Sequence, residues 1–230
     1  MEPRLSCVVD SSGYPPGTSQ EFMVKVAVFG STGKTGLQIV QQALERGYTV
    51  VAAARSPQKL TIQHEALAAV ACDVLQPDSL AAVMFGVDAV IVAIGGDGIS
   101  DSRTRSEGTA NILQAMRAAE VDRILAVSTA GVGDSIDQLG MLARVFVRLI
   151  IHKAVADHTR QEESIRSSGM RWTIGRPGGL TDGARSGGCQ ADPDGTISIR
   201  QVSRADVASF LLDALEDPQS EGQIYALSQR

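Results

Sequence analysis

The sequence predicts an α/β fold with a doubly wound parallel sheet, built as a single domain over 230 residues. Three observations predict it. From residue 24 onward, short apolar runs alternate with longer helical patterns. The most apolar run, VDAVIVAIG at 87–95, has the continuous character of a strand buried on both faces. The first run, VKVAVFG at 24–30, ends in a glycine and leads through two more into a helical pattern.

The elements follow in order. Residues 24–30 form a strand, and 35–46 a helix that Gly47 ends. TVVAAAR (49–55) is a second strand and LAAVACD (67–73) a third. Pro77 and Asp78 open a helix, with Asp78 as its cap. The central strand at 87–95 precedes a long helix over 102–120, the strand VDRILAVST (121–129), and a helical stretch over 139–168. RWTIGRP (171–177) is a strand, and the glycine-rich segment 181–196 a loop over one end of the sheet. A helix at 203–216 and a strand at 223–228 close the chain. Residues 1–22 contain the Ser/Gly/Pro-rich run SSGYPPGTSQ and read as a disordered tail, which leaves 23–230 as the folded domain.

Composition excludes several classes. A net charge of −5 supplies no basic field for nucleic acid. No apolar stretch reaches the ~18 residues of a membrane span, and no secretory leader is evident. MLARVFVRLII (141–151) places Arg144 and Arg148 on one polar side of an amphipathic helix, whose apolar stripe serves either the core or a dimer face. The expected state is a monomer or homodimer. Cys7, Cys72 and Cys189 are too few and too scattered for a disulfide framework, so a reducing, cytoplasmic setting is expected. The three histidines form no cluster, so no metal site is expected.

The glycine turn carries the first chemistry. In Gly30-Ser31-Thr32-Gly33-Lys34-Thr35-Gly36, Gly30 permits the tight turn. Gly33 lets the backbone approach a pyrophosphate, and Gly36 lets helix pack on strand. The helix N-terminus adds free N–H groups and the positive end of its dipole. The second strand ends in Ala54-Arg55-Ser56, with no carboxylate to bond a ribose 2′-hydroxyl. A guanidinium attracts a 2′-phosphate, so Arg55 favours NADPH. Asp73 and Val74, after the third strand, suit the adenine, and Ala93, Ile94 and Gly95 end the strand beside the turn.

The Gly-x-x-Gly-x-x-Gly spacing resembles the short-chain dehydrogenase/reductase superfamily with its Rossmann fold. SEGTANILQAMRAAEVDRILAVSTAG (106–131), ESIRSSGMRWTIGRPGGLTD (163–182) and ISIRQVSRADVASFLLDALEDP (197–218) are similar to its atypical, single-domain members. The resemblance extends to NmrA-like proteins and to the flavin reductase/biliverdin-IXβ reductase group. It implies NAD(P)H binding, with Pro177 at the cofactor, and either hydride transfer to a flat conjugated acceptor or redox sensing and assembly roles without turnover. In the flavin-reductase-like relatives a histidine can follow this proline; here Gly178 and Gly179 do.

Most superfamily enzymes use a Tyr-x-x-x-Lys pair, whose lysine tunes the phenol for proton transfer. Neither Tyr14, Tyr48 nor Tyr225 has a lysine four residues on. Counted from Glu162, the lysine slot holds His158 and the tyrosine slot Ala154. His158 reads either as a hydrogen-bonding partner for a ribose or acidic substrate, or as a solvent-facing helix residue. Ser128 and Thr129 fall at the superfamily's substrate-side hydroxyl, Thr129 matching better. The expected partner is a small-molecule acceptor of flavin or quinone type.

Overall fold

The computed structural model describes residues 24–95, 103–138, 152–193 and 199–229, with single positions 140, 141, 149 and 197 between them. The disordered tail expected over 1–22 lies outside the described residues, as does most of the stripe at 141–151. Met141 and Leu149, its two described positions, are exposed.

Strands and helices alternate along the chain, with only a 3₁₀ turn at Pro57–Lys59 between the second and third strands. β1 (Lys25–Phe29) leads through the glycine turn to α1 (Lys34–Glu45) and β2 (Thr49–Ala54). β3 (Leu67–Ala71), a short α2 (Ala81–Met84), β4 (Ala89–Val92), α3 (Thr104–Ala118) and β5 (Arg123–Val127) follow. α4 (His152–Arg166), β6 (Arg171–Pro177), β7 (Leu180–Thr181) and β8 (Cys189–Asp192) precede β9 (Val202–Ser203), α5 (Arg204–Glu216) and β10 (Gln223–Gln229). Among the described residues the main sheet has eight strands in the order β3-β2-β1-β4-β5-β6-β10-β8. All neighbours are parallel except β8, which runs antiparallel to β10 at the edge. This is the doubly wound Rossmann arrangement, in one domain.

Side-chain alternation explains the two covered faces. In β1, Val26 and Val28 point to a layer built by Ile39, Val40 and Ala43 of α1 and Val207, Leu211 and Leu212 of α5. Ala27 and Phe29 point the other way, onto Val83 of α2, Ile112 and Met116 of α3 and Ile165 of α4. With both faces taken by helices, an apolar residue at every position of β4 is required rather than tolerated.

Three expectations need correction. Segment 181–196 is not simply a loop, because Cys189–Asp192 adds the antiparallel edge strand and Leu180–Thr181 pairs with Val202–Ser203. Asp206 organises part of it: its carboxylate accepts from the Ser186 and Gly187 amides at 2.9 and 3.2 Å. Asp78 is not a cap. It sits in a 3₁₀ turn, Pro77–Ser79, where Ser79 Oγ instead donates to the Asp73 and Gln76 carbonyls. The helix after it shrinks to four residues. Of the stretch expected as helix over 139–168, Met141, Leu149 and His152–Arg166 are helical, after a 3₁₀ segment at Gly133–Gln138, and 139, 142–148, 150 and 151 lie outside the described residues.

Candidate cofactor cleft and active-site helix

The C-terminal ends of β1, β2, β3 and β4 meet at a cleft of about 240 Å³. Gly30, Thr32, Gly33, Arg55, Asp73, Val74, Ile94 and Gly95 line it, together with Ala53, Ala54, Cys72, Leu75 and Thr104. The glycine turn works by close approach. Gly30 sits at φ +80°, and a Cβ there would stand 2.4 Å from the Ala93 carbonyl oxygen. A Cβ on Gly36 would meet the Gly30 carbonyl oxygen at 2.1 Å, so the turn closes only without side chains at both positions. Gly33 needs no left-handed backbone. It has φ −75° and ψ 158°, an ordinary extended conformation, and serves as the N-cap of α1. Its added Cβ would meet only the Gly30 oxygen, at 3.2 Å, and otherwise open space.

The helix end beside Gly33 is left for a ligand. α1 has no side-chain cap and no acidic residue in its first turn. Its orphan N–H donors and dipole therefore favour an anion at that point, and the missing Cβ leaves room for a pyrophosphate. Thr35 lies in that first turn. The residues present fit a dinucleotide.

Not every predicted residue faces the cleft. Ser31 is fully buried and donates from Oγ to the Ala53 carbonyl at 3.0 Å, binding the turn to β2. Lys34 points away, its ammonium 2.6 Å from Asp182, which also pairs with Arg204. Ala93 is buried behind Gly30 and contributes backbone only. Asp73 lines the cleft while its Oδ1 accepts the Leu75 amide at 3.1 Å. Pro177 does not line it: the residue is buried, and its carbonyl accepts the Ala130 amide at 2.9 Å. Gly178 follows because β6 turns against the Arg200 backbone, whose oxygen would lie 1.9 Å from a Cβ. Thr104 and Leu75 were missed from sequence. Thr104 opens α3 just after its N-cap residue Arg103, and no local pattern marks it.

On the far side of β5, α4 presents the former tyrosine and lysine slots. Ala154, His158 and Glu162 recur every four residues on one buried face. Glu162 is 3% exposed and accepts three bonds: from Ser128 Oγ at 2.5 Å, and from Arg176 Nε and Nη2 at 3.0 and 2.6 Å. Ser128 is thus committed as a donor within the protein. Thr129, half-buried, makes only a 3.3 Å contact to the Ala130 carbonyl, and is the freer hydroxyl.

His158 is not solvent-facing. It is 8% exposed, and its Nδ1 lies 3.2 Å from Gln161 Oε1. Burial, aided by the Arg105 guanidinium, pushes its pKa down to about 4, against weaker pulls from Gln161 and Asp157. The ring is neutral at pH 7 and is no proton store there. Its neighbour Asp157 supplies the N-terminal cap that α3 lacks in its own sequence, accepting the Arg105 and Ser106 amides at 3.2 Å each and Ser106 Oγ at 2.5 Å. Burial would raise the Asp157 pKa, but the Ser106 hydroxyl and amide with the Arg105 amide and guanidinium outweigh it and hold it below the usual range.

A pH dependence follows. The folded His158 pKa lies below its unfolded value of 6.5, so the unfolded state binds the extra proton. Stability is full above pH 6.5 and falls as pH drops from there to about 4, by about 3 kcal/mol if the whole shift is expressed. Urea unfolding of wild type and His158→Gln from pH 4 to 8 checks this. The slope in that window should be absent from the variant, and equal slopes would contradict the burial of a neutral ring.

The family model described as NAD(P)H-binding matches residues 30–218, which spans the turn, the cleft and both halves of the sheet. The chain belongs to this NAD(P)H-binding family, among the atypical short-chain dehydrogenases/reductases. A chloroplast protein of Arabidopsis thaliana without an assigned function is 34% identical over 90% of this chain and 77% of its own length. Protein TIC 62 of Pisum sativum, also chloroplastic, is 26% identical over 90% of this chain, but the chain spans only 43% of it. Among solved structures, ChuY, an anaerobilin reductase of Escherichia coli O157:H7, superposes with a TM-score of 0.76 at 26% identity, covering 90% of this chain and 97% of that one. Among the described residues no helix is long and apolar enough to cross a membrane.

Proposed function

We propose that the protein is an NADPH-dependent reductase that passes hydride to a flat conjugated acceptor of flavin or quinone type. One observation carries this reading: the uncapped helix end at Gly33 opens on a cleft whose second-strand corner holds Arg55 and no carboxylate. Arg55 takes the 2′-phosphate, the turn takes the pyrophosphate, and Asp73 and Val74 flank the adenine. The acceptor gains hydride from the nicotinamide and a proton from solvent, because Ala154 and the neutral His158 supply no tuned acid. Thr129 is the hydroxyl on the acceptor side. The partners are this cofactor and a small molecule, without nucleic acid or membrane, and the protein acts as a monomer or homodimer. Its compartment is reducing, cytoplasmic by its cysteine usage, or plastid if it follows the relatives above.

A second reading, an NADP(H)-binding sensor or assembly factor without turnover, is favoured by one feature: Ser128 is tied to Glu162 and Arg176, so one of the two expected substrate-side hydroxyls is spent on structure.

Calorimetry decides the cofactor. Wild type should bind NADPH about tenfold or more tightly than NADH, a charge-assisted phosphate contact being worth about 1.5–3 kcal/mol. In Arg55→Ala that preference should collapse; equal affinities in wild type would reject it. Loss of nicotinamide absorbance with a panel of flavins, quinones and biliverdins decides turnover. Tight NADPH binding with no acceptor turned over would favour the sensor.

A further inference from the structure

Lys34 stands at the first position of α1, directly after the Gly33 N-cap, yet its ammonium is committed elsewhere. It donates to Asp182 Oδ2 at 2.6 Å, 148 residues along the chain. The other oxygen of the same carboxylate, Oδ1, accepts from Arg204 Nη1 at 2.5 Å. Asp182 therefore joins the phosphate turn to the start of α5, from the loop that follows β7.

The two halves of this bridge are unequal. The Arg204 side chain is 21% exposed and the Lys34 side chain 69%. The loop is held to α5 in two further places. Leu180 and Thr181 pair with Val202 and Ser203, and Asp206 accepts from the Ser186 amide and hydroxyl and the Gly187 amide. Helix α1 is itself fixed to α5 through Gln42 Nε2, which donates to the Ala205 carbonyl at 2.9 Å. Arg204 is thus the fixed half of the bridge. Lys34 is the exchangeable half: a point charge on a flexible stem, in solvent, at a helix end whose orphan N–H groups favour an anion. An exposed lysine–carboxylate pair contributes little, whereas a cation bonded to a phosphate contributes more, so the exchange runs toward the phosphate.

We propose that Asp182 sets how tightly the phosphate turn holds a dinucleotide: its carboxylate holds Lys34 off the turn, and Lys34 exchanges that carboxylate for the pyrophosphate on binding. The inference rests on the cofactor reading above. Asp182 competes for the cation and so weakens binding by whatever the Lys34 pair is worth. The pyrophosphate is common to NADH and NADPH, so Asp182 acts on both alike, and the choice between them stays with Arg55.

The test is a double-mutant cycle by calorimetry on wild type, Asp182→Asn, Lys34→Ala and the double variant, each with NADPH and with NADH. Circular dichroism and the urea midpoint check that the four proteins share one fold. Asp182→Asn should tighten both dinucleotides by up to about fivefold, the upper worth of an exposed pair. In the Lys34→Ala background the same change should alter affinity by less than about twofold, because no cation is left to release. An equal gain in both backgrounds would overturn the inference and reduce Asp182 to long-range repulsion. So would no gain in either background, or a gain confined to NADPH, which would put Lys34 on the 2′-phosphate. Each of these outcomes leaves the cofactor reading standing. Wild type that binds neither dinucleotide would overturn that reading, and this inference with it.

Discussion

Gly33→Val is expected to abolish dinucleotide binding while the domain stays folded. Valine can adopt φ −75° and ψ 158°, and its Cβ would meet only the Gly30 oxygen at 3.2 Å, a contact relieved by a shift of a few tenths of an ångström. The methyl groups, however, would occupy the space above the uncapped end of α1, where the pyrophosphate must approach the N–H groups. A loss of at least about 100-fold in NADPH affinity, about 2.7 kcal/mol, is the expected calorimetric result. Near-native circular dichroism and urea midpoint should accompany it. Gly36→Val is the contrast: a Cβ 2.1 Å from the Gly30 oxygen cannot be absorbed, so that variant should lose the fold along with the binding. Retained affinity in a folded Gly33→Val protein would place the phosphate elsewhere.

Glu162→Ala should be among the most destabilising single changes, costing about 3–5 kcal/mol. The carboxylate is buried and holds Ser128 at the end of β5 and Arg176 at the end of β6, so its removal leaves a guanidinium only 12% exposed without its counter-charge. The two strands run in register from Arg123 opposite Arg171 to Val127 opposite Gly175, and Glu162 on α4 clamps the helix to their far ends. The measurement is the unfolding free energy from urea titration. The double variant Glu162→Leu/Arg176→Met should recover a large part of the loss, because it removes both charges and keeps the volume. A cost below about 1 kcal/mol for the single variant would show that the pair contributes no more than a surface ion pair does.

Much of the fold was legible in the sequence because its determinants are local. The apolar period, the glycine turn and the helix-closing Gly47 act within a few residues, and the parallel order of β1 to β6 follows from alternating strands and helices. Arg55 was legible for the same reason, since the end of β2 is counted directly from the turn, and it does line the cleft. The sequence by itself determined the doubly wound class, the phosphate turn and the absence of a tyrosine–lysine pair.

The tertiary structure decided what each candidate side chain is free to do. Ser128 and Thr129 are adjacent and chemically similar, yet only Ser128 meets Glu162, 34 residues further along. His158 is neutral and buried because α4 packs that face beside Arg105 of α3, and Asp157 becomes a cap for a helix that begins 53 residues earlier. Cys189–Asp192 is a strand only because the exposed edge of β10 needed a partner. Gly30 takes φ +80° and Gly33 φ −75°, because a glycine's φ depends on the closed turn and not on its place in a motif. In each case the deciding partner lies in another element. Local pattern sets which elements form, whereas burial, charge and hydrogen-bond commitment are set by which elements the sheet brings together.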